Sequence, residues 1–135
     1  MLKILVVDDN LGWRNFNKTS LIKIFENEEI SITTADSAKD GYDKIIQSEA
    51  NPFDLIITDL QMESDFAPMI AGEWFIRQVK TFPKYINTKI LIISAMYNIE
   101  MTANLLNVDF LSKRLLISGG ELPLKLKLQE MNFKL

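Results

Sequence analysis

Residues 3–10 read Lys3-Ile4-Leu5-Val6-Val7-Asp8-Asp9-Asn10. Four branched apolar residues run together and stop at an acidic pair. A continuous run of this kind suits a strand buried on both faces, as in a parallel sheet covered by helices. The pattern returns twice: Leu55-Ile56-Ile57 ends in Thr58-Asp59, and Ile90-Leu91-Ile92-Ile93 ends in Ser94. Two weaker strand candidates, Ile30 to Ala35 and Val108 to Leu111, complete a set of five.

Helical spacing fills the intervals. Leu11 to Asn27 places Trp13, Phe16, Leu21, Ile24 and Phe25 near one face. Ser37 to Ser48 opens on Ser37 and Asp40, a capping-box spacing with Asp in place of the preferred Glu or Gln. Gly72 to Phe82 and the shorter Asn98 to Leu106 follow. Strands alternating with helices predict right-handed crossovers and an α/β fold: a doubly wound five-stranded parallel sheet with helices on both faces, flavodoxin-like, in one domain over residues 1–135. After Gly120, Leu122, Leu124, Leu126 and Leu128 alternate as in a strand, but the fold order asks for a helix, with Pro123 in its first turn. As a helix it has two apolar rows: Leu122, Leu126 and Phe133 on one side; Leu124, Leu128 and Met131 nearly opposite. One row packs on the sheet, leaving the other for a partner or partly exposed.

Composition narrows the chemistry. The chain has 135 residues, 47% hydrophobic and 24% charged, which argues against a disordered polymer. With no cysteine and no histidine, thiol nucleophiles, thiolate metal sites and Ser-His triads are all excluded. Any chemistry runs on carboxylates, hydroxyls, Lys, Arg or a hard metal ion. The net charge of −3 argues against direct nucleic-acid binding, which needs clustered cations. No apolar run approaches the roughly 18 residues of a membrane span, and the N-terminus lacks a signal-peptide layout, so a cytoplasmic protein with no membrane partner is expected.

In an open parallel sheet, sites form beyond the carboxyl ends of the strands, at the point where the strand order reverses. Here those ends carry Asp8-Asp9, Asp59 and Ser94. Converging carboxylates repel unless a proton or cation sits among them, and an all-oxygen donor set favours Mg²⁺. Singly, each residue has a plainer reading: the aspartates and Ser94 as turn formers or helix caps, Lys113 as a solvated side chain. The joint order of acidic pair, acid, hydroxyl and lysine, each at the end of its own strand, points to a site.

Over essentially its whole length the chain resembles the receiver domains of response regulators. Ile4 to Asn10 is similar to that family's first strand and acidic pair, and Asp59 matches the phospho-acceptor position. Ser94, followed by Ala95, matches the Ser/Thr position, Phe110 the switch aromatic and Lys113 the lysine. The resemblance implies that Asp59 is a nucleophile forming an aspartyl phosphate. It implies that Asp9 binds Mg²⁺, with Asp8 helping directly or through water, and that Asp59 and the backbone carbonyl of Gln61 add ligands. Lys113 would pair with Asp59 or its phosphoryl group, Ser94 would hold a phosphoryl oxygen, and Phe110 would turn inward in response. The donor would be a phosphohistidine on a sensor kinase or phosphotransfer protein, and the output would be a downstream protein or a homodimer through the last helix.

Four departures mark this chain. The residue after Lys113 is Arg114, not proline; a cis bond before a non-proline costs about 2.5–4 kcal/mol, so a trans bond and an altered loop are expected. Met62 is followed by Glu63 rather than proline, and the segment from Asp59 to Gly72, with Pro68 inside it, is about five residues longer than typical. The segment from Ser94 to Lys113 is about three residues short, curtailing the fourth helix. Leu115 to Gly120 looks extended, so the last helix starts late. An alternative function is a receiver-like interaction module that is never phosphorylated. A Mg²⁺-dependent aspartate-nucleophile phosphatase fits less well, because no second acid stands two residues after Asp59, where Gln61 is found.

Overall fold

The computed structural model describes residues 1–62 and 70–135. Five strands alternate with helices: β1 (Leu2–Val7), α1 (Leu11–Ile24), β2 (Ile30–Ala35), α2 (Ala38–Gln47), β3 (Leu55–Thr58), α3 (Ala71–Val79), β4 (Lys89–Ser94), α4 (Ile99–Leu106), β5 (Asp109–Ser112), α5 (Lys113–Gly119) and α6 (Leu122–Glu130). A 3₁₀ turn, Pro83–Tyr85, leads into β4. The sheet order is β2-β1-β3-β4-β5, and every pairing is parallel. The expected doubly wound fold is the observed one.

Why the central strands are apolar throughout follows from two separate cores. Leu5, Val7, Ile56 and Ile92 face the side covered by α2, α3 and α4, where Ile45, Phe75 and Ala103 pack. Ile4, Val6, Ile57, Leu91 and Ile93 face the side covered by α1, α5 and α6, where Leu21, Leu116, Leu124 and Leu128 pack. Successive strand residues alternate between the faces, so a strand covered on both needs no polar residue. The edge strand β2 is only partly covered, which accounts for its weaker signal.

Caps fix where helices begin. Asn10 accepts a hydrogen bond from the Trp13 N–H at 2.9 Å and starts α1. Ser37 accepts one from Asp40 N–H at 3.0 Å and starts α2. The Asp40 carboxylate reaches back, as a capping box does, but to the N–H of Asp36 at 3.3 Å.

The C-terminal third refines the sequence reading. Leu122–Glu130 is a helix and it starts late, as expected. The stretch before it is not plain connection. Ser112 caps a separate helix, α5, which begins at Lys113 itself, with the Arg114 N–H donating to Ser112 Oγ at 3.2 Å. On α6, Leu124, Leu128 and Met131 form the buried row, while Leu122 and Leu126 are 56% and 54% exposed. Phe133 does not follow the exposed row. Asn132 adopts a left-handed conformation (φ 73°) that ends the helical register, and Phe133 turns back to meet Phe25 edge-on at 6.1 Å. The fourth helix is short, at eight residues. Glu63 and Pro68 lie outside the described residues.

Candidate functional site

Strand β2 runs beside β1 on one side and β3 on the other side of β1, so the winding reverses between β1 and β3. Beyond the carboxyl ends of those two strands stand Asp8, Asp9 and Asp59. Each offers a carboxylate oxygen within 4.8 Å of the others. Octahedral Mg²⁺, with ligands about 2.0–2.1 Å away, holds oxygens roughly 3–4 Å apart, so small side-chain shifts would close this trio on one ion. The donor set fits a hard divalent cation.

Backbone contacts hold the acids in place. Asp59 N–H donates to the Val7 carbonyl at 3.0 Å, and Asp8 N–H donates to the Ala35 carbonyl at 3.1 Å, so each residue extends the sheet one step past its strand. Asp59 is 6% exposed. Its Oδ1 accepts N–H groups from Leu60 at 2.7 Å and Gln61 at 3.2 Å, and its Oδ2 accepts Lys113 Nζ at 2.7 Å. Lys113 Nζ also reaches Asp8 Oδ2 at 3.0 Å, which makes one ammonium the shared cation of two buried carboxylates. Asp8 Oδ1 accepts the Asn10 N–H at 2.9 Å, and its carbonyl accepts Arg14 Nη1 at 2.8 Å. Burial pushes the Asp8 carboxyl above its ordinary range, and the Asp59 charge adds to the push; the Asn10 N–H and Lys113 pull against it. Asp9 is exposed at the mouth of the site.

The remaining expected residues take their places at neighbouring strand ends. Ser94 closes β4, is fully buried, and its Oγ accepts the Met96 N–H at 3.2 Å. It pairs in register with Ser112, one step before Lys113, and Phe110 pairs with Ile92. Phe110 is half-buried, packed against the α2-α3-α4 core, and Lys127 Nζ lies 5.5 Å from its ring centre. The Gln61 backbone lies beside Asp59 through its N–H; its side chain is exposed.

A model described as the response regulator receiver domain matches residues 4–118. The chain belongs to this family. Solved structures with the same fold include the chemotaxis response regulator CheY4 of Vibrio cholerae, 23% identical, covering 96% of this chain and 98% of that one at a TM-score of 0.74. The response regulatory domain of mrkE from Klebsiella pneumoniae is 18% identical over 97% and 95%, at 0.72. The Mn²⁺-bound form of response regulator Rcp1 is 15% identical over 84% and 81%, at 0.61. No curated protein matches the sequence.

Two contributors to this receiver domain's site escaped the sequence reading. Gly72 stands where its N–H donates to the Leu60 carbonyl at 3.0 Å, and a Cβ there would lie 2.1 Å from the Asp59 carbonyl oxygen. The helix α3 therefore begins hard against the Asp59-Leu60 backbone, and only glycine fits. A glycine in the first turn of an amphipathic helix is the available signal. Trp13 is the other. Its spacing places it on the face of α1 that packs against the second core, as observed, but gives no hint that the half-buried ring also stands 4.8 Å from Lys113 Nζ.

Proposed function

We propose that this receiver domain is a phosphorylation-dependent signalling switch in which Asp59 accepts a phosphoryl group from a phosphohistidine on a sensor kinase or phosphotransfer protein. The single observation that carries the proposal is Asp59 itself: a carboxylate at the winding reversal, anchored by two backbone N–H groups and a buried lysine, beside two further carboxylates.

The step follows from that arrangement. An Asp59 carboxylate oxygen attacks phosphorus and the P–N bond to the donor imidazole breaks; the ring, already protonated at its other nitrogen, takes the electron pair of that bond and leaves as neutral imidazole. Lys113 meets negative charge as it moves from carboxylate to phosphoryl oxygens, and Ser94 Oγ–H supplies a donor from the neighbouring strand end. Mg²⁺, held by Asp9, Asp59 and the Gln61 carbonyl with help from Asp8, would supply the remaining positive charge when bound. Phe110, half-buried next to the Ser94 strand, is the side chain free to repack as the Ser94 loop draws in. The chemistry is directed at the chain itself, so the protein acts as a switch rather than as an enzyme with turnover on other molecules.

The exposed Leu122 and Leu126 offer the output a face, either for a downstream protein or for a second copy. Light scattering of the wild type and of Leu126→Glu, with and without a phosphoryl mimic, separates the two; a monomer in both states leaves the downstream protein. The functional reading is tested by thermal unfolding with Mg²⁺ and beryllium fluoride. The pair should raise Tm in the wild type through preferential binding to the folded state and leave Asp59→Asn unmoved. Equal shifts in both would remove Asp59 from the binding site.

A further inference from the structure

We infer that Trp13 is a positioning residue for Lys113, holding the ammonium against Asp8 and Asp59 with the face of its indole ring; the inference rests on the reading of Asp59 as phospho-acceptor. A lysine ammonium has three N–H donors. Two are answered by Asp59 Oδ2 at 2.7 Å and Asp8 Oδ2 at 3.0 Å. The third side of the ammonium is met by the Trp13 ring, whose centre is 4.8 Å from Nζ. Lys113 is 6% exposed, so water supplies little of its solvation. A π face is then the natural third ligand, because its negative quadrupole attracts a cation without adding another charge to be neutralised.

The placement of Trp13 is built in rather than incidental. Asp8 Oδ1 accepts the Asn10 N–H, Asn10 Oδ1 accepts the Trp13 N–H, and Arg14 Nη1 donates to the Asp8 carbonyl. The first turn of α1 is thereby tied to the acidic residue it serves. Phe16 backs the indole edge-on, with ring centres 5.5 Å apart and planes 78° to each other. Leu116, from the helix that Lys113 opens, lines the same cleft. A tryptophan so fixed limits where Lys113 can go when Asp59 changes its charge.

The test compares wild type with Trp13→Tyr, Trp13→Phe and Trp13→Met as whole, folded chains of verified Tm. The first readout is independent of phosphoryl transfer: the rate at which an amine-reactive reagent modifies Lys113, mapped by mass spectrometry. Lys39, whose side chain is 70% exposed, serves as internal reference. Met approaches Phe in bulk but has no ring. Lys113 should be modified roughly two- to thirtyfold faster in Trp13→Met than in wild type, the span a cation–ring contact covers between exposed and desolvated settings. Tyr and Phe should restore most of the protection. The second readout, the Mg²⁺-dependent rate of modification of Asp59 by acetyl phosphate, should fall in the same order. Equal protection of Lys113 in all four proteins would overturn the inference. So would protection in Met equal to that in Phe, since packing alone would then explain it. A wild type that takes no phosphoryl group would count against the function instead, because the labelling series still decides the role of Trp13.

Discussion

Replacing Gly72 with alanine should damage the acceptor from a position that never touches the phosphoryl group. The added Cβ would lie 2.1 Å from the Asp59 carbonyl oxygen, 2.5 Å from Leu60 Cα and 2.9 Å from the Asp59 carbonyl carbon. All three neighbours are backbone, so no side chain can rotate away. Overpacking of this kind costs about 1–3 kcal/mol, and rigid neighbours place it at the upper end. Alanine's helix propensity returns up to about 1 kcal/mol, leaving a net loss of roughly 2 kcal/mol and a fall in Tm of roughly 6–10 °C. Relief requires a shift of about 1 Å between α3 and the Asp59-Leu60 backbone, and misplacement of a reacting group by that much can cost about a hundredfold in rate. Thermal unfolding and the rate of phosphorylation by acetyl phosphate measure both effects. Gly12→Ala is the control, because its Cβ would meet only the tip of the Asn10 side chain, at 3.1 Å. A Gly72→Ala protein with wild-type Tm and wild-type rate would refute the reasoning.

Three further outcomes follow from the same contacts. Lys113→Met strands two buried carboxylates without their cation and should cost about 3–5 kcal/mol in denaturant unfolding, with Mg²⁺ recovering part of the loss; an unchanged midpoint would show that the pair is solvated. The raised Asp8 pKa means that, between its ordinary 3.8 and the higher folded value, the native state binds more protons than the unfolded one, so Asp8 makes stability fall as pH rises through that window. Asp8→Asn should flatten this component of the pH–stability profile, whereas an unaltered profile would place the slope elsewhere. On α6, Leu128→Ala should cost about 2–5 kcal/mol, whereas Leu126→Ala, at a half-exposed position, should stay under about 1 kcal/mol; similar losses at both would contradict the orientation of the helix.

The parts legible in the sequence were those where burial dictates residue type directly. Ile4–Val7, Leu55–Ile57 and Ile90–Ile93 are covered on both faces, so nothing polar interrupts them, and the strand ends place the acids that follow the first two and Ser94 after the third. The trio Asp8, Asp9 and Asp59 is readable because acids at the ends of two apolar strands, with a hydroxyl at the end of a third, have few cheap explanations together. Residues 113–119 were harder. Their helix depends on a cap by Ser112 and on packing of Leu116 into the second core, and a single buried leucine in seven residues leaves no clear periodicity. Phe133 departs from the side a helical wheel gives it because the helical register ends at Asn132, whose left-handed backbone no wheel anticipates. Gly72 and Trp13 act through close approach in space, between segments far apart in the chain, and such contacts leave only faint traces in a sequence.

The account stands or falls on covalent chemistry at Asp59. The direct measurement is the intact mass of the protein after incubation with acetyl phosphate and Mg²⁺, beside Asp59→Asn and a metal-free sample. One phosphoryl adduct that requires Mg²⁺ and vanishes in Asp59→Asn is the predicted result. A folded wild type that binds Mg²⁺ and gains no adduct would contradict it, and would mark the chain as a receiver that works by contact alone.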